Sequence, residues 1–302
     1  MSYYYKVYGL NVESEILVPE LSILSKEEQS DIHIKISYGI MPEDIKVSIN
    51  NGQRSKYERN RMWFYINNVA TFYIYDGKNI VIEPCEITDP QLVKVYILGS
   101  VLGMVMLQRN IVAIHGGSIV IDNKGYIFTG DKGAGKSTLT TALRKKGYGF
   151  VSDDVGAIKT GEINKIHPGF GYQKLCEDAL VNLGYDPAKY EPFRGDFNIK
   201  YIVPALEDFV STAVPFEGMF ELEVGDVDCV QVEEIKGNDK LKGMIKNIFR
   251  IEILRCSGGM SGEYFKKCID IAKDLKYYKI TRPKGQFTVD EQIDIIEKII
   301  IK

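Results

Sequence analysis

The apolar positions of this chain follow two different periods, and the change between them divides it. Up to about residue 88 they come in short runs that favour β-branched and aromatic residues and are broken by turn residues, the pattern of half-buried strands. Residues 3–8, 31–37, 62–67, 70–75 and 79–83 predict strands, with Asn67-Asn68 and Asp76-Gly77 as hairpin turns. No helix of useful amphipathic length is expected before about residue 89. Residues 1–88 therefore predict a small, β-rich, antiparallel amino-terminal domain. Its aromatics, among them Tyr3, Tyr5, Trp63, Phe64, Phe72 and Tyr73, read as a ligand platform or as cross-strand packing, and packing is the ordinary use of such residues in strands.

From Thr88 the period lengthens. Thr88 or Asp89 is a helix cap, Pro90 suits a first turn, and residues 91–109 place apolar side chains on more than one helical face, which predicts a buried helix. Its most apolar run, residues 92–107, is interrupted by Lys94 and reads as too short to span a bilayer. Residues 111–121 and 126–129 then predict two strands joined by a turn at residues 122–125. A helix over 138–146 stops at Gly147, and residues 148–152 return as a strand ending in Asp153-Asp154. Further on, strands are expected at 218–224, 229–235 and 277–282, and helices at 239–249, 262–275 and 289–301. Residues 89–302 thus predict an α/β domain.

The β-α-β unit in that domain carries the chemistry. In Tyr126-Ile-Phe-Thr-Gly-Asp-Lys-Gly-Ala-Gly-Lys-Ser-Thr138, the residues Gly130, Gly135, Lys136 and Ser137 stand at the spacing of a phosphate-binding loop. Glycines allow a tight fold around an anion, and the following helix presents its positive end. Gly130, Asp131, Lys132, Gly133, Ala134, Gly135, Lys136, Ser137 and Thr138 are the expected nucleotide-binding residues, with Lys136 reaching the β- and γ-phosphates and the Ser137 hydroxyl on Mg²⁺. The alternative is a glycine-rich turn that binds nothing. Asp153 and Asp154 end the next strand, where open α/β sheets bind ligands. One carboxylate there can hold Mg²⁺ and another can accept the proton of an attacking hydroxyl; a solvated turn is the plainer reading. His115, followed by Gly116-Gly117, is a site neighbour or a packed strand histidine. His167-Pro-Gly-Phe-Gly171 is a glycine turn that either closes over substrate or lies at the surface. Arg194, Lys200, Arg250, Arg255 and Arg282 are candidate clamps for a transferring phosphate.

Composition narrows the partners. The chain has 302 residues, 45% hydrophobic and 26% charged, with net charge −3, which gives no electrostatic case for nucleic acid or an anionic membrane. Five cysteines, widely spaced and odd in number, argue against a disulfide framework and for reduced, cytoplasmic thiols. The first residues lack the pattern of a secretory signal.

A resemblance follows from three stretches in order: His115-Gly116, Gly130-Asp131-x-Gly133-x-Gly135-Lys136-Ser137, and Ser152-Asp153-Asp154-Val155. Together they resemble the catalytic core of the HPr serine kinase/phosphorylase family, whose phosphate loop is shared with phosphoenolpyruvate carboxykinases. Tyr8-Gly-Leu-x-x-x-Ser14-Glu-Ile-x-Val-Pro-Glu-Leu21, Leu98-Gly-Ser-x-Leu-Gly103 and Gln108-Arg109 are similar to the related serine kinases with an extra amino-terminal domain. Some of those phosphorylate a serine of a lasso-peptide precursor. The resemblance implies a P-loop kinase domain at 89–302, ATP and Mg²⁺ as cofactors, and a peptide or protein substrate carrying an acceptor serine. It implies Asp153 as base on the acceptor hydroxyl, Asp154 with Ser137 on the metal, and His115 and Lys136 beside the reacting phosphate. A homo-oligomer is compatible with it, and a small-molecule hydroxyl kinase or a nucleotide-gated binding module shares the same core. The family's second signature has only a loose echo in Glu191-Pro-Phe-Arg-Gly195, so HPr as substrate and phosphorolysis as a second activity stay open.

Overall fold

The computed structural model describes residues 1–194 and 199–301, without the side chains of Phe193 and Arg194. It is a mixed α/β protein with large sheets, and it divides into two compact units: Met1–Ala113 with Ile248–Lys267, and Ile114–Asn247 with Cys268–Lys302. The sequence reading places the boundary between residues 88 and 89 instead. The difference lies in the apolar helical run after Asp89 and in Ile248–Lys267, both of which join the first unit. Phe249 N–H donates to the Ala113 carbonyl at 2.8 Å and Lys267 Nζ to the Asn110 carbonyl at 3.0 Å. A boundary drawn along the chain cannot represent a unit made of two separate segments.

The first unit holds a sheet in the order Ser22–Ile23, Tyr3–Val7, Leu10–Ser14, Ile34–Tyr38, Asn79–Pro84, Ala70–Tyr75, Arg61–Ile66, Ser55–Glu58. It is not purely antiparallel as expected: Ile34–Tyr38 runs parallel to both Leu10–Ser14 and Asn79–Pro84. A helix, Glu43–Asn50, also precedes residue 89 against expectation. It is anchored by the fully buried Ile45 and the partly buried Ile49, packed with Met41 and Trp63, and its apolar stripe in sequence is only Met41, Ile45 and Ile49, two helical turns long. The expected helix after Asp89 is present as Pro90–Tyr96 and Leu102–Gln108, joined by a π-helical stretch, Ile97–Val101. Asp89 caps it by accepting from Gln91 N–H at 2.8 Å. At 19 residues, Pro90–Gln108 is long and apolar enough, by length and composition alone, to cross a membrane, which corrects the shorter sequence estimate. Half of that stretch is buried within the protein, the condition of a core helix.

In the second unit, Val112–Ile121, whose first two residues belong to the first unit, pairs antiparallel with Lys124–Gly130 and with Gly149–Ser152. The sheet continues through Val155–Lys159, Lys165–His167, Val214–Gly225, Lys276–Pro283 and Gln231–Glu234. A further parallel pairing of Lys124–Gly130 with Val214–Gly225 closes part of this ladder on itself. Beneath the glycine loop lies a core of Phe128, Leu139, Leu143, Phe150, Phe220, Leu222, Ile280, Ile293 and Ile296. Phe128 and Phe220 stack at 5.3 Å, and burial of rings this size fixes the strand that feeds the loop. Three short strands, Tyr172–Cys176, Ile199–Pro204 and Pro192–Arg194, form a separate small sheet. None of the five cysteines forms a disulfide among the described residues.

Candidate functional site

Strand register assembles the site. Thr129 faces Gly116 and Ser152 faces Ser118 across the antiparallel ladders, so the end of Lys124–Gly130, the start of the central strand near His115, and the end of Gly149–Ser152 share one sheet edge. Close approach of these strands depends on glycine. A Cβ on Gly116 would stand 2.3 Å from the Phe128 carbonyl oxygen, and one on Gly130, at φ +134°, would stand 2.2 Å from the Leu222 carbonyl oxygen. Both contacts are with backbone, which cannot swing aside.

The loop then turns through Gly133 and Gly135 at positive φ and enters the helix Lys136–Lys145. The Ala134 N–H is used inside the loop, donating to the Asp131 carbonyl at 3.1 Å. The first amides of the helix, those of Lys136, Ser137 and Thr138, have no partner within the helix, as at any helix N-terminus. Asp131, Lys132 and Gly133 are exposed, Ala134 is buried, and Gly135 to Thr138 are intermediate. Lys136 Nζ donates to the carbonyls of Gly130 at 2.8 Å and Asp131 at 3.1 Å. Burial lowers its pKa, against the opposing pull of Asp154. From outside, Arg282 Nε donates to the Ala134 carbonyl at 3.0 Å and its terminal nitrogen to the Gly133 carbonyl at 3.2 Å. Arg282, one of the five candidate clamps, therefore holds the loop's backbone.

The two aspartates occupy different environments. Asp153 is 4% exposed; its Oδ2 accepts from the Lys174 N–H at 3.0 Å, and its Oδ1 is buried with no hydrogen-bond partner. Burial, then the neighbouring Asp154 charge, push its pKa up. Asp154 is also subject to burial, which would raise its pKa, but the charges of Lys174, Lys200 and His115 overturn this and hold it well below the usual carboxylate range. Its Oδ2 pairs directly with Lys174 Nζ. The Asp154 carbonyl accepts from the Gly116 N–H at 3.0 Å and from His115 Nδ1 at 3.2 Å. A carbonyl only accepts, so Nδ1 carries the proton, and in the neutral ring Nε2 is the acceptor. His115 is fixed further by its own N–H, which donates to the Asn247 carbonyl at 2.8 Å.

Lys174 and Lys200 bear on the same pair from the small sheet, where Lys174 lies opposite Ile202 and Lys200 opposite Cys176, on one face. Sequence reading passed over Lys174 and grouped Lys200 with the arginines. The alternation in Tyr172-Gln-Lys-Leu-Cys176 is the signal that was there: Gln173 and Leu175 are fully buried, and Lys174 is on the other face. The turn after His167 delivers this strand. Gly169 N–H donates to the Val151 carbonyl at 3.0 Å and Phe170 is buried, so the turn packs beside the strand that ends in the aspartates. Of the other candidate clamps, Arg250 belongs to the first unit, where it donates to Ser100 Oγ at 2.7 Å, and Arg255 lies there too. The Arg194 side chain and Gly195 lie outside the described residues.

The residues present fit a nucleotide with its metal. The loop offers helix-end amides and an ammonium seated on the Gly130 carbonyl, and Asp153 Oδ1 is a buried acceptor without a partner, on a carboxylate that feels the charges of Lys174 and Lys200 as well as that of Asp154. Among the described residues no three His, Cys, Asp or Glu side chains come together as a metal cage. Mg²⁺ does not require one, since one or two carboxylates together with substrate phosphates ordinarily hold it. Asp154 and Ser137 have the oxygen donors that such a site would use.

No family model and no curated protein sequence matches this chain. Among solved structures it is similar to the HPr(Ser) kinase/phosphatase from Coxiella burnetii, at 14% identity and a TM-score of 0.32, over 63% of this chain and 90% of that one. A likeness of that size carries no residue role across.

Proposed function

We propose that the chain is an ATP-dependent kinase that moves the γ-phosphate to a serine hydroxyl of a peptide or protein in the cytoplasm, a lasso-type precursor being the peptide to which the motif resemblance points. The observation that carries this reading is the buried Asp153 oxygen without a partner, at the same sheet edge as a glycine loop and its lysine. Mg²⁺-ATP, when bound, supplies an activated γ-phosphate with part of its charge neutralised. Lys136 leaves the Gly130 and Asp131 carbonyls to meet phosphate oxygens, and the helix-end amides hold the same anion. Asp154, kept ionised by its lysine neighbours, serves the metal side together with Ser137. Asp153 Oδ1 takes the proton of the serine hydroxyl, for which its raised pKa is suited, because a base works best when its pKa is near the working pH. His115, with its tautomer fixed by the Asp154 carbonyl, would be a neighbour of the reacting phosphate.

The test is incubation of the full chain with Mg²⁺-ATP and an array of serine-containing peptides, with free serine as the competing acceptor. Phosphate appearing on a peptide serine supports the reading. ATP consumption that responds to free serine and to no peptide replaces it with a small-molecule kinase.

A further inference from the structure

Lys174 meets both aspartates from a single residue. Its backbone N–H donates to Asp153 Oδ2 at 3.0 Å, while its ammonium pairs with Asp154 Oδ2. The strand that carries it is held in place from the other face. Gln173 Oε1 accepts from Thr141 Oγ1 at 3.0 Å and from an Arg144 terminal nitrogen at 2.6 Å, and Gln173 Nε2 donates to Thr140 Oγ1 at 3.1 Å. Thr140, Thr141 and Arg144 all belong to the helix that follows the glycine loop, and all are buried. Loop helix, lysine strand and acid pair are therefore one hydrogen-bonded body, with Lys174 at its junction.

The two contacts have different consequences. The amide fixes Asp153 through one oxygen and leaves the other buried and without a partner, an arrangement that costs stability unless something is to meet that oxygen. The ammonium neutralises Asp154 with both partners still reachable, the side chains being 22% and 30% exposed. A cation approaching Asp154 from solvent meets an ammonium already in place.

We propose that Lys174 is the positioning residue of the acid pair: its amide aims Asp153, and its ammonium competes with a divalent cation for Asp154. The identity of that cation rests on the kinase reading; the competition itself rests only on the contacts of Lys174. The ammonium thereby keeps Asp154 neutralised until a metal ion with further ligands of its own displaces it.

The competition is measured on the nucleotide-free full chain with Mn²⁺ as the probe, titrated by electron paramagnetic resonance. Lys174→Met should bind Mn²⁺ more tightly by on the order of 10–100-fold, the ordinary size of coupling between two ligands of one protein. Lys174→Gln, closer in shape, should move in the same direction, and Lys174→Arg, which keeps the charge, should stay within about threefold of the parent chain. The aiming contact is read by amide hydrogen exchange: in Asp153→Ala the Lys174 N–H should exchange at least about tenfold faster, with Gln173 and Leu175 unchanged. Unaltered Mn²⁺ affinity in the folded Met and Gln variants overturns the competition, and unaltered Lys174 exchange overturns the aiming. Normal phosphoryl transfer alongside unaltered Mn²⁺ affinity would remove this inference and leave the kinase reading standing. Tightened Mn²⁺ with no transfer to any acceptor would do the reverse.

Discussion

Asp153→Asn separates what this carboxylate does for the reaction from what it costs the fold. In the folded chain, burial and the Asp154 charge raise its pKa, so the folded state keeps a proton over a pH range in which the unfolded chain has already released it. The sign follows. That stabilisation is complete below the unfolded pKa, about 4, and is lost as the pH rises through the folded value. Each tenfold difference in proton affinity between the two states is worth about 1.4 kcal/mol, so the parent chain should lose on the order of a few kcal/mol across this window. Asparagine has no proton to lose. It does place a buried NH₂ where Oδ1 found no partner, at about 1–3 kcal/mol, but that cost is the same at every pH. Urea denaturation of the metal-free, nucleotide-free proteins between pH 4.5 and 8.5 should show the parent's stability falling relative to the variant as pH rises. In single turnover the variant should retain Mg²⁺-ATP yet lose transfer by roughly 10²–10⁴-fold, the contribution expected of a general base. A stability gap that does not vary with pH refutes the raised pKa, and transfer at the parent rate refutes the base.

Lys136→Ala should abolish Mg²⁺-ATP binding, because the ammonium seated on the Gly130 and Asp131 carbonyls is the group assigned to the β- and γ-phosphates; calorimetry showing undiminished affinity removes the nucleotide site. Asp154→Asn should weaken metal-dependent nucleotide binding and be partly restored by excess Mg²⁺, and an unchanged metal requirement in the binding titration speaks against a metal-side role. Arg282→Ala should loosen the loop and weaken ATP binding about tenfold while circular dichroism stays native, and lysine should not restore it, since two guanidinium nitrogens hold two separate carbonyls; full rescue by Arg282→Lys counts against that account.

The parts of the site legible in sequence are those whose geometry is local. Gly130 to Ser137 constrain one another within a single turn, and the strand before and helix after them are visible in their own periods. Asp153 and Asp154 were legible because one β-α-β unit brings them back to the edge from which the loop leaves, although the strand Val112–Ile121 lies between the two. Lys174 was not legible. Its place depends on a small sheet whose strands pair across some thirty residues, and a lysine on an alternating strand ordinarily marks a solvated face. Arg282 was visible as an arginine, but its partners, the carbonyls of Gly133 and Ala134, are nearly 150 residues away in sequence. The same limit applies to the fold. The helix Glu43–Asn50 is only eight residues long and buries Ile45 fully and Ile49 in part, and the first unit takes in a segment near residue 250 that no linear boundary anticipates.

The central claim is transfer of phosphate to a serine hydroxyl through Asp153, and intact-mass spectrometry of the acceptor tests it most directly. Serine peptides incubated with Mg²⁺-ATP and the full chain should gain one phosphate, mapped by fragmentation to serine. The gain should vanish when that serine is replaced by alanine and fall by two or more orders of magnitude with Asp153→Asn, in the range of general-base loss, roughly 10²–10⁴. ATP turned over with no phosphate on any hydroxyl, or a phosphopeptide formed equally well by Asp153→Asn, would contradict it.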